Sequence, residues 1–157
     1  MSKKPDKIRA TANTTDGVGM QRYATYKDAI NRISESIKKG FYLEAITLSE
    51  SLIADRLESR LKYLTGSDKY SFKPLGKLQE GIRDHETDKY LIELLEFKKG
   101  KLDNWRNNRN NALHAMAKIE KGDAREWDGK MEECKKIALD GEELRKEIFK
   151  ITAKLKR

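Results

Sequence analysis

Three residues in the segment WRNNRNNALHAMAKIEKG, residues 105–122, have the types and spacing that phosphodiester chemistry requires: Arg109, Asn110 and His114. A histidine has an ordinary pKa of about 6.5 and can accept a proton at neutral pH. An arginine keeps its charge and can donate two N–H groups to one phosphate. RNA carries its own nucleophile, the 2′-hydroxyl, so a base and a cation are enough to cleave it. The pattern therefore indicates RNA cleavage without a metal ion, with His114 as general base and Arg109 stabilising the charged phosphorane.

Two neighbouring side chains have supporting interpretations. Asn110 lies one helical turn before His114 and can orient its ring or bind phosphate. Arg106 lies one turn earlier still on the same face, so it is a rival of Arg109 and a candidate for a secondary phosphate contact. An arginine at this distance from a histidine often arises by chance in so basic a chain. The asparagine directly after Arg109 makes the pattern more specific.

The sequence RNNALH, residues 109–114, resembles the motif of the HEPN superfamily, Arg-x(4–6)-His, in which asparagine very often follows the arginine. The resemblance extends less sharply to the layout of residues 22–155, with two long N-terminal helices, an acid on the second and the motif on a later one. Many members are metal-independent ribonucleases of toxin–antitoxin pairs, abortive-infection systems or CRISPR effectors, and others have lost catalysis. The resemblance implies an RNA endonuclease of a toxin–antitoxin or phage-defence type, with an antitoxin or defence-system protein as a further partner.

Two other functions fit the same residues. The first is a catalytically inactive HEPN-like bundle that binds RNA, nucleotide or a partner protein. The second is a structural helical adaptor in which Arg109, His114 and Glu50 form a polar core. An RNase assay in the presence of a chelator separates the endonuclease from both, and RNA binding separates the inactive bundle from the adaptor.

The spacing of the motif constrains how the site is built. On one continuous helix, Arg109 and His114 point about 140° apart, so they do not easily converge within one subunit. Either Arg109 lies in an irregular first turn, or two copies of the motif face each other. The dimers of the HEPN superfamily, whose two motifs line one cleft, favour a twofold homodimer. The asparagines are then expected to cap the helix and present polar groups at its positive end.

The remaining sequence indicates an all-α bundle of five or six helices that position this motif. The chain has 157 residues, of which 37% are hydrophobic and 38% charged, with only two prolines, a balance typical of helices with narrow apolar stripes. Residues 1–21 read as a flexible basic arm, and residues 22–157 as one HEPN-like domain. Glycine and apolar spacing predict helices at 23–39, 41–64, 87–98, 101–122 and 123–156, the last bending near residues 140–141, and a short helix in LGKLQEGI.

Two charged residues interrupt predicted apolar faces. Glu50 falls within the apolar stripe of the second helix, whereas Asp55 and Glu58 do not; the stripe consists of Ile46, Ile53, Leu57, Leu61 and Leu64. Arg109 falls in the middle of the apolar face of the motif helix, which consists of Leu102, Trp105, Leu113 and Met116. Because an isolated charge is costly to bury, we expect Glu50 to pair with Arg109 and support the site. The pair could also be a core salt bridge with no further role.

The excess charge concentrates near the motif. The formal net charge is +8, and residues 98–121 contain seven basic against two acidic residues. RNA is the expected partner, with transfer RNA as one candidate, and Arg106, Lys101 and Lys118 are expected to contact it. A solvated basic surface is the alternative interpretation.

Other residues bear on cofactors and compartment. One cysteine and two distant histidines exclude the usual zinc spacings, so we expect neither a metal nor a cofactor. No apolar run follows the N-terminal lysines, so we expect a cytoplasmic protein without a membrane span. Trp105 and Trp127 could each stack on RNA bases. Trp105 lies on the apolar face, so we expect it to pack in the core, whereas for Trp127, in a charged stretch, both interpretations stay open. His85 is expected to be a solvated loop residue.

Overall fold

Six α-helices make up the part of the chain that the computed structural model describes, residues 18–116 and 126–155. In chain order they are α1 (Val18–Lys39), α2 (Tyr42–Thr65), α3 (Leu75–His85), α4 (Lys89–Leu95), α5 (Lys101–Ala115) and α6 (Trp127–Leu155). These residues contain no strand, so the predicted all-α class is confirmed. None of the six helices is long and apolar enough to cross a membrane.

α2 is the central helix, because it packs against α1, α3 and α6. Its predicted apolar stripe is confirmed at Ile46, Ile53, Leu57 and Leu61, which are all buried, whereas Leu64 is half-buried at the end of the helix. Burying each such side chain contributes about 1.5–3 kcal/mol. The stripe therefore anchors the helix that carries Glu50.

The helix ends follow the glycines closely. Gly40 and Gly66 both have positive φ angles, of 81° and 64°. Gly40 ends α1 at Lys39, as the sequence predicted, and Gly66 ends α2 at Thr65, one residue beyond the predicted end. α1 begins at Val18 rather than at residue 23, so it takes in the last residues of the predicted arm. Residues 1–17 of that arm lie outside the described residues. The motif helix was predicted to reach residue 122, but α5 ends at Ala115.

Two local predictions were wrong. α4 ends at Leu95, not at residue 98, because the chain turns there and Lys98 adopts a φ of 69° while its N–H donates to Asp103 Oδ2 at 2.9 Å. Glu58 was expected outside the apolar face of α2 but is buried, since its carboxylate accepts the backbone N–H of Phe72 at 3.1 Å. This contact ties the loop between α2 and α3 to the centre of the bundle.

The predicted bend near residues 140–141 is also absent, and α6 runs unbroken from Trp127 to Leu155. Gly141 serves packing instead. A Cβ atom at this position would lie 2.8 Å from the Cζ2 and Nε1 atoms of Trp105. The missing side chain therefore lets α5, the helix of the motif, lie close to α6.

Candidate active site

The motif lies on a regular helix. α5 is continuous from Lys101 to Ala115, and Arg109 falls in its middle. The interpretation that places Arg109 in an irregular first turn is therefore wrong. On a regular helix the directions of Arg109 and His114 differ by about 140°.

The asparagines do not cap the helix, contrary to the sequence prediction. The N-cap is Gly100, which makes no side-chain capping hydrogen bond, and the four asparagines of the motif lie in the second and later turns. Asn107 and Asn111 are exposed, Asn108 lines a cleft between α5 and α6, and Asn110 contacts Arg109. Each asparagine therefore has its own surroundings, and they do not act together at a helix end.

Arg109 and Glu50 form an ion pair between α5 and α2, as the sequence predicted. The Arg109 side chain is only 13% exposed and that of Glu50 is 33% exposed. The Arg109 guanidinium carbon also lies 5.7 Å from the centre of the Trp105 ring. Arg109 is thus held in place by a carboxylate and an aromatic ring.

Trp105 anchors this arrangement. It is buried, as predicted, and its Nε1–H donates to the carbonyl of Ile137 on α6 at 2.9 Å. A tryptophan with a satisfied N–H and a buried ring is a rigid support for the cation beside it. The position of Arg109 is therefore determined by the packing of α5 against α6 and by the ion pair with Glu50 on α2.

Asn110 contacts Arg109 and not His114. Its Oδ1 accepts hydrogen bonds from Arg109 Nε and Nη2, at 3.2 and 2.8 Å. Among the described residues, no group makes a hydrogen bond to the imidazole ring of His114, which is exposed in the last turn of α5. The structure therefore brings Arg109, Asn110 and Glu50 together and leaves the histidine directed at solvent.

The residues expected to bind RNA are separated from each other. Arg106 Nη1 donates to Gln79 Oε1 at 2.5 Å and to Asp103 Oδ1 at 3.3 Å, which fixes this guanidinium against α3. Lys101 lies at the opposite end of α5, about 20 Å from His114 at 1.5 Å per residue, and its Nζ pairs with Glu147 at 3.0 Å. Lys118 lies outside the described residues.

The sequence did not predict two buried polar residues that bind Arg106. Gln79 is fully enclosed and donates from Nε2 to the carbonyl of Leu95 at 3.0 Å while it accepts from Arg106. Asp103, also buried, accepts from both Arg106 and the backbone of Lys98. Gln79 could have been identified from its position on the same helix face as Leu75 and Ile82, because a polar residue on a buried face needs hydrogen-bond partners inside the protein.

The apolar face of α5 also differs from the prediction. Ala112 is buried, whereas Leu113 is 47% exposed although its helical position is close to that of buried Leu102. Trp127 is exposed as well, at the start of α6, where Lys130 Nζ donates to the carbonyl of Ala115 at 2.7 Å. The last turn of α5 therefore presents apolar surface next to His114.

Neither of two surface clefts, of about 220 and 880 Å³, includes Arg109 or His114. Both lie beside the first half of α5, and Lys101 lines each of them. No group of three or more His, Cys, Asp or Glu side chains among residues 18–116 and 126–155 could hold a metal ion.

In comparisons with known proteins, no family model, no curated protein and no solved structure matches this chain.

Proposed function

We propose that the protein is a metal-independent RNA endonuclease in which His114 deprotonates the 2′-hydroxyl and Arg109 stabilises the phosphorane. The observation that best supports the proposal is the contrast between an anchored cation, held by Glu50 and Trp105, and an exposed histidine on the same helix. An electrostatic stabiliser works best when it is fixed before the reaction, and a base must reach its substrate. The proposal places the protein in the cytoplasm, where its RNA substrates, including transfer RNA, are found.

The site is proposed to be shared between two copies of the chain in a twofold homodimer. Because Arg109 and His114 point about 140° apart on one regular helix, one phosphate reaches both most readily when they belong to different subunits. Leu113 supports this arrangement. Its side chain is exposed and points between the directions of Arg109 and His114, although Leu102, at a similar position around the same helix, is buried. An exposed apolar side chain beside polar functional groups is typical of an interaction surface.

Glu50 is proposed to hold Arg109 until substrate binds. In the free protein its carboxylate neutralises the guanidinium, and a phosphate that arrives at Arg109 competes with it. Asn110 keeps the guanidinium oriented through Oδ1 during this exchange. Arg106 and Lys101 would contribute to the charge that attracts RNA rather than to the chemical step.

The toxin–antitoxin or phage-defence role rests on the resemblance of RNNALH to the HEPN motif. An antitoxin or another defence-system protein would then be a partner of the motif surface. The chemistry at His114 does not depend on this biological role.

A catalytically inactive HEPN-like bundle that binds RNA, nucleotide or a partner protein is the second candidate. One observation favours it: Arg109 is largely buried and already neutralised by Glu50, as expected of a structural pair. Cleavage distinguishes the two, because an inactive bundle binds RNA and leaves it intact.

The test is an RNase assay on total transfer RNA with EDTA present, comparing the wild type with His114→Ala. The wild type should release products that end in a cyclic phosphate, and the variant should be slower by roughly a hundredfold or more. His85→Ala is the matched control, because His85 is the chain's other histidine and is exposed at the end of α3. Cleavage that disappears with EDTA, or that persists undiminished in His114→Ala, would contradict the mechanism.

A further inference from the structure

A cluster of three arginines lies where α1, α2 and α6 meet, away from the motif helix. Arg22 comes from α1, Arg56 from α2 and Arg145 from α6. They surround two aromatic rings, those of Tyr26 and Phe149, whose centres are 5.6 Å apart and whose planes are tilted by 32°. The guanidinium carbons of Arg56 and Arg145 lie 4.2 and 5.3 Å from the centre of the Phe149 ring.

The carboxylate of Asp55 is hydrogen-bonded on the Arg22 side of this arginine cluster. Its Oδ2 accepts a hydrogen bond from Arg22 Nη2 at 2.5 Å and another from the hydroxyl of Tyr26. Arg22 Nη2 also donates to Ser59 Oγ at 2.7 Å. The charge of Arg22 is therefore well compensated.

Arg56 and Arg145 have no comparable partner among the described residues. The Nε atom of each is buried and makes no hydrogen bond, and Arg145 as a whole is only 4% exposed. The acid whose charge acts on Arg145 is Glu142, three residues earlier on α6, and its carboxylate pairs with Lys146 at 2.9 Å. Two guanidinium groups thus face the same ring without a carboxylate bound to either.

Arg60 provides a comparison, because it is a buried arginine that has a carboxylate partner. It is buried to the same degree, and its Nε and Nη2 donate to both oxygens of Glu86 at 2.6 and 2.9 Å. The hydrogen bond from Arg60 to Glu86 raises the pKa of Arg60. For Arg56 and Arg145, burial lowers the pKa, and it outweighs the attraction of Asp55 for Arg56 and of Glu142 for Arg145.

We propose that Arg56 and Arg145 form an anion site for a phosphate group, with Phe149 as its apolar wall. Charged groups are retained in a protein interior when they are paired, and a phosphate matches the planar N–H pattern of arginine. Both guanidinium carbons lie within 5.3 Å of one ring centre, which brings two cations to the same aromatic side chain. The phosphate can belong to a free phosphate or mononucleotide, or to the backbone of an RNA strand. The site goes beyond the proposed cleavage chemistry and shares no residue with it.

The test is calorimetric titration of the full chain with inorganic phosphate, together with its melting temperature at matched ionic strength in sodium chloride. We expect saturable binding, and a rise in melting temperature of roughly 5 °C at a hundredfold excess over Kd. Arg145→Met should weaken binding about tenfold or more, because it removes charge-assisted hydrogen bonds. Methionine of similar size in a buried site should leave the unliganded protein folded.

Arg56→Met is the second variant, with the same expected loss, and it keeps the test decisive if Arg145→Met does not fold. Arg83→Met is the matched control, because Arg83 is an exposed arginine that pairs with its neighbour Asp84. Adenosine monophosphate and a 2′-O-methyl oligoribonucleotide, which cannot be cleaved at the 2′ position, identify the source of the phosphate. The proposal is overturned if sodium chloride reproduces the phosphate effect, or if both cluster variants bind phosphate as tightly as Arg83→Met.

Discussion

Arg109 is a cation that the fold both buries and neutralises. Its guanidinium contacts the carboxylate of Glu50, the amide of Asn110 and the ring of Trp105. The sequence predicted the pair with Glu50 because both charges occupy positions on apolar faces, where each needs a partner. It did not predict Asn110 as a partner of Arg109, since the helical spacing alone favoured contact between Asn110 and His114.

Glu50→Ala should lower the free energy of unfolding by about 1–3 kcal/mol, because it leaves Arg109 largely buried without its carboxylate. The value lies below that of a fully buried pair, since Glu50 is one-third exposed. Urea denaturation measures the change. Glu44→Ala is the control on the same helix, because Glu44 pairs with Arg32 at the exposed surface and should change stability little. Equal effects of the two variants would mean that the Glu50–Arg109 pair is as solvated as a surface pair.

Glu86 gives the bundle a dependence on pH. Burial alone would raise the pKa of Glu86, but hydrogen bonds from Arg60 and from the backbone of Asp88 and Thr87 outweigh burial and lower it below its ordinary 4.5. A carboxyl group with a lowered pKa contributes its full stability above the unfolded-state pKa, and this contribution is lost as pH falls through the folded-state pKa.

We therefore expect the free energy of unfolding to decrease below about pH 4.5, and Glu86→Gln to make this decrease shallower. The variant should also be less stable at pH 7, because Arg60 loses a charged partner in a buried position. Urea denaturation at a series of pH values measures both effects. The interpretation fails if wild type and variant lose stability with the same slope.

The contact between α5 and α6 is the element pairing that determines where the motif lies. Trp105 crosses from α5 to α6, donates to the carbonyl of Ile137 and occupies the space left by Gly141. Gly141 was predicted to bend α6, since glycine weakens a helix, but close helix packing explains it better.

Gly141→Ala should destabilise the protein by about 1–3 kcal/mol, although alanine is the better helix former, because its Cβ would displace the Trp105 ring. Gly129→Ala is the matched control, since Gly129 lies on the same helix and is exposed. The control should be neutral or slightly stabilising. Thermal denaturation followed by tryptophan fluorescence reports both stability and the environment of the ring. A Gly141→Ala protein as stable as the control would contradict the close packing.

The positions of the helices were largely predictable from the sequence, but the neighbours that pack on each helix face were not. Gly40, which has a positive φ, ended α1 where the sequence placed its end, because the conformation that stops a helix is a local property of the chain. The exposure of Leu113 and the burial of Ala112 depend on which neighbouring helices cover α5, and periodicity identifies a face without saying what covers it. The buried position of Gln79 depends in the same way on a contact between α3 and α5.

A single copy of the chain presents an incomplete surface at the end of α5. Leu113, which directly precedes His114, is exposed there. Trp127 is also exposed, at the start of α6, where Lys130 contacts the end of α5. A second copy related by a twofold axis would cover this apolar surface and bring Arg109 of one subunit towards His114 of the other. The proposed catalytic site and the proposed dimer therefore depend on the same helix face.

Leu113→Lys should shift the protein from dimer to monomer in light-scattering measurements, because a lysine side chain is poorly tolerated at an apolar interface. Leu139→Lys is the matched control, since Leu139 on α6 is exposed to a similar degree, 44% against 47%. The monomeric variant should also lose RNA cleavage while retaining its helical circular dichroism. A wild-type protein that is monomeric at high concentration would contradict the shared site.

The most direct test of the shared catalytic site is RNA cleavage by a mixture of Arg109→Gln and His114→Ala proteins whose subunits have been allowed to exchange. Each variant alone should be inactive, because every site lacks either the cation or the base. A mixed dimer keeps one complete site, built from Arg109 of one copy and His114 of the other, so an equal mixture should recover about a quarter of the wild-type activity in EDTA. An active wild type whose variants stay inactive when mixed would contradict a site shared between subunits.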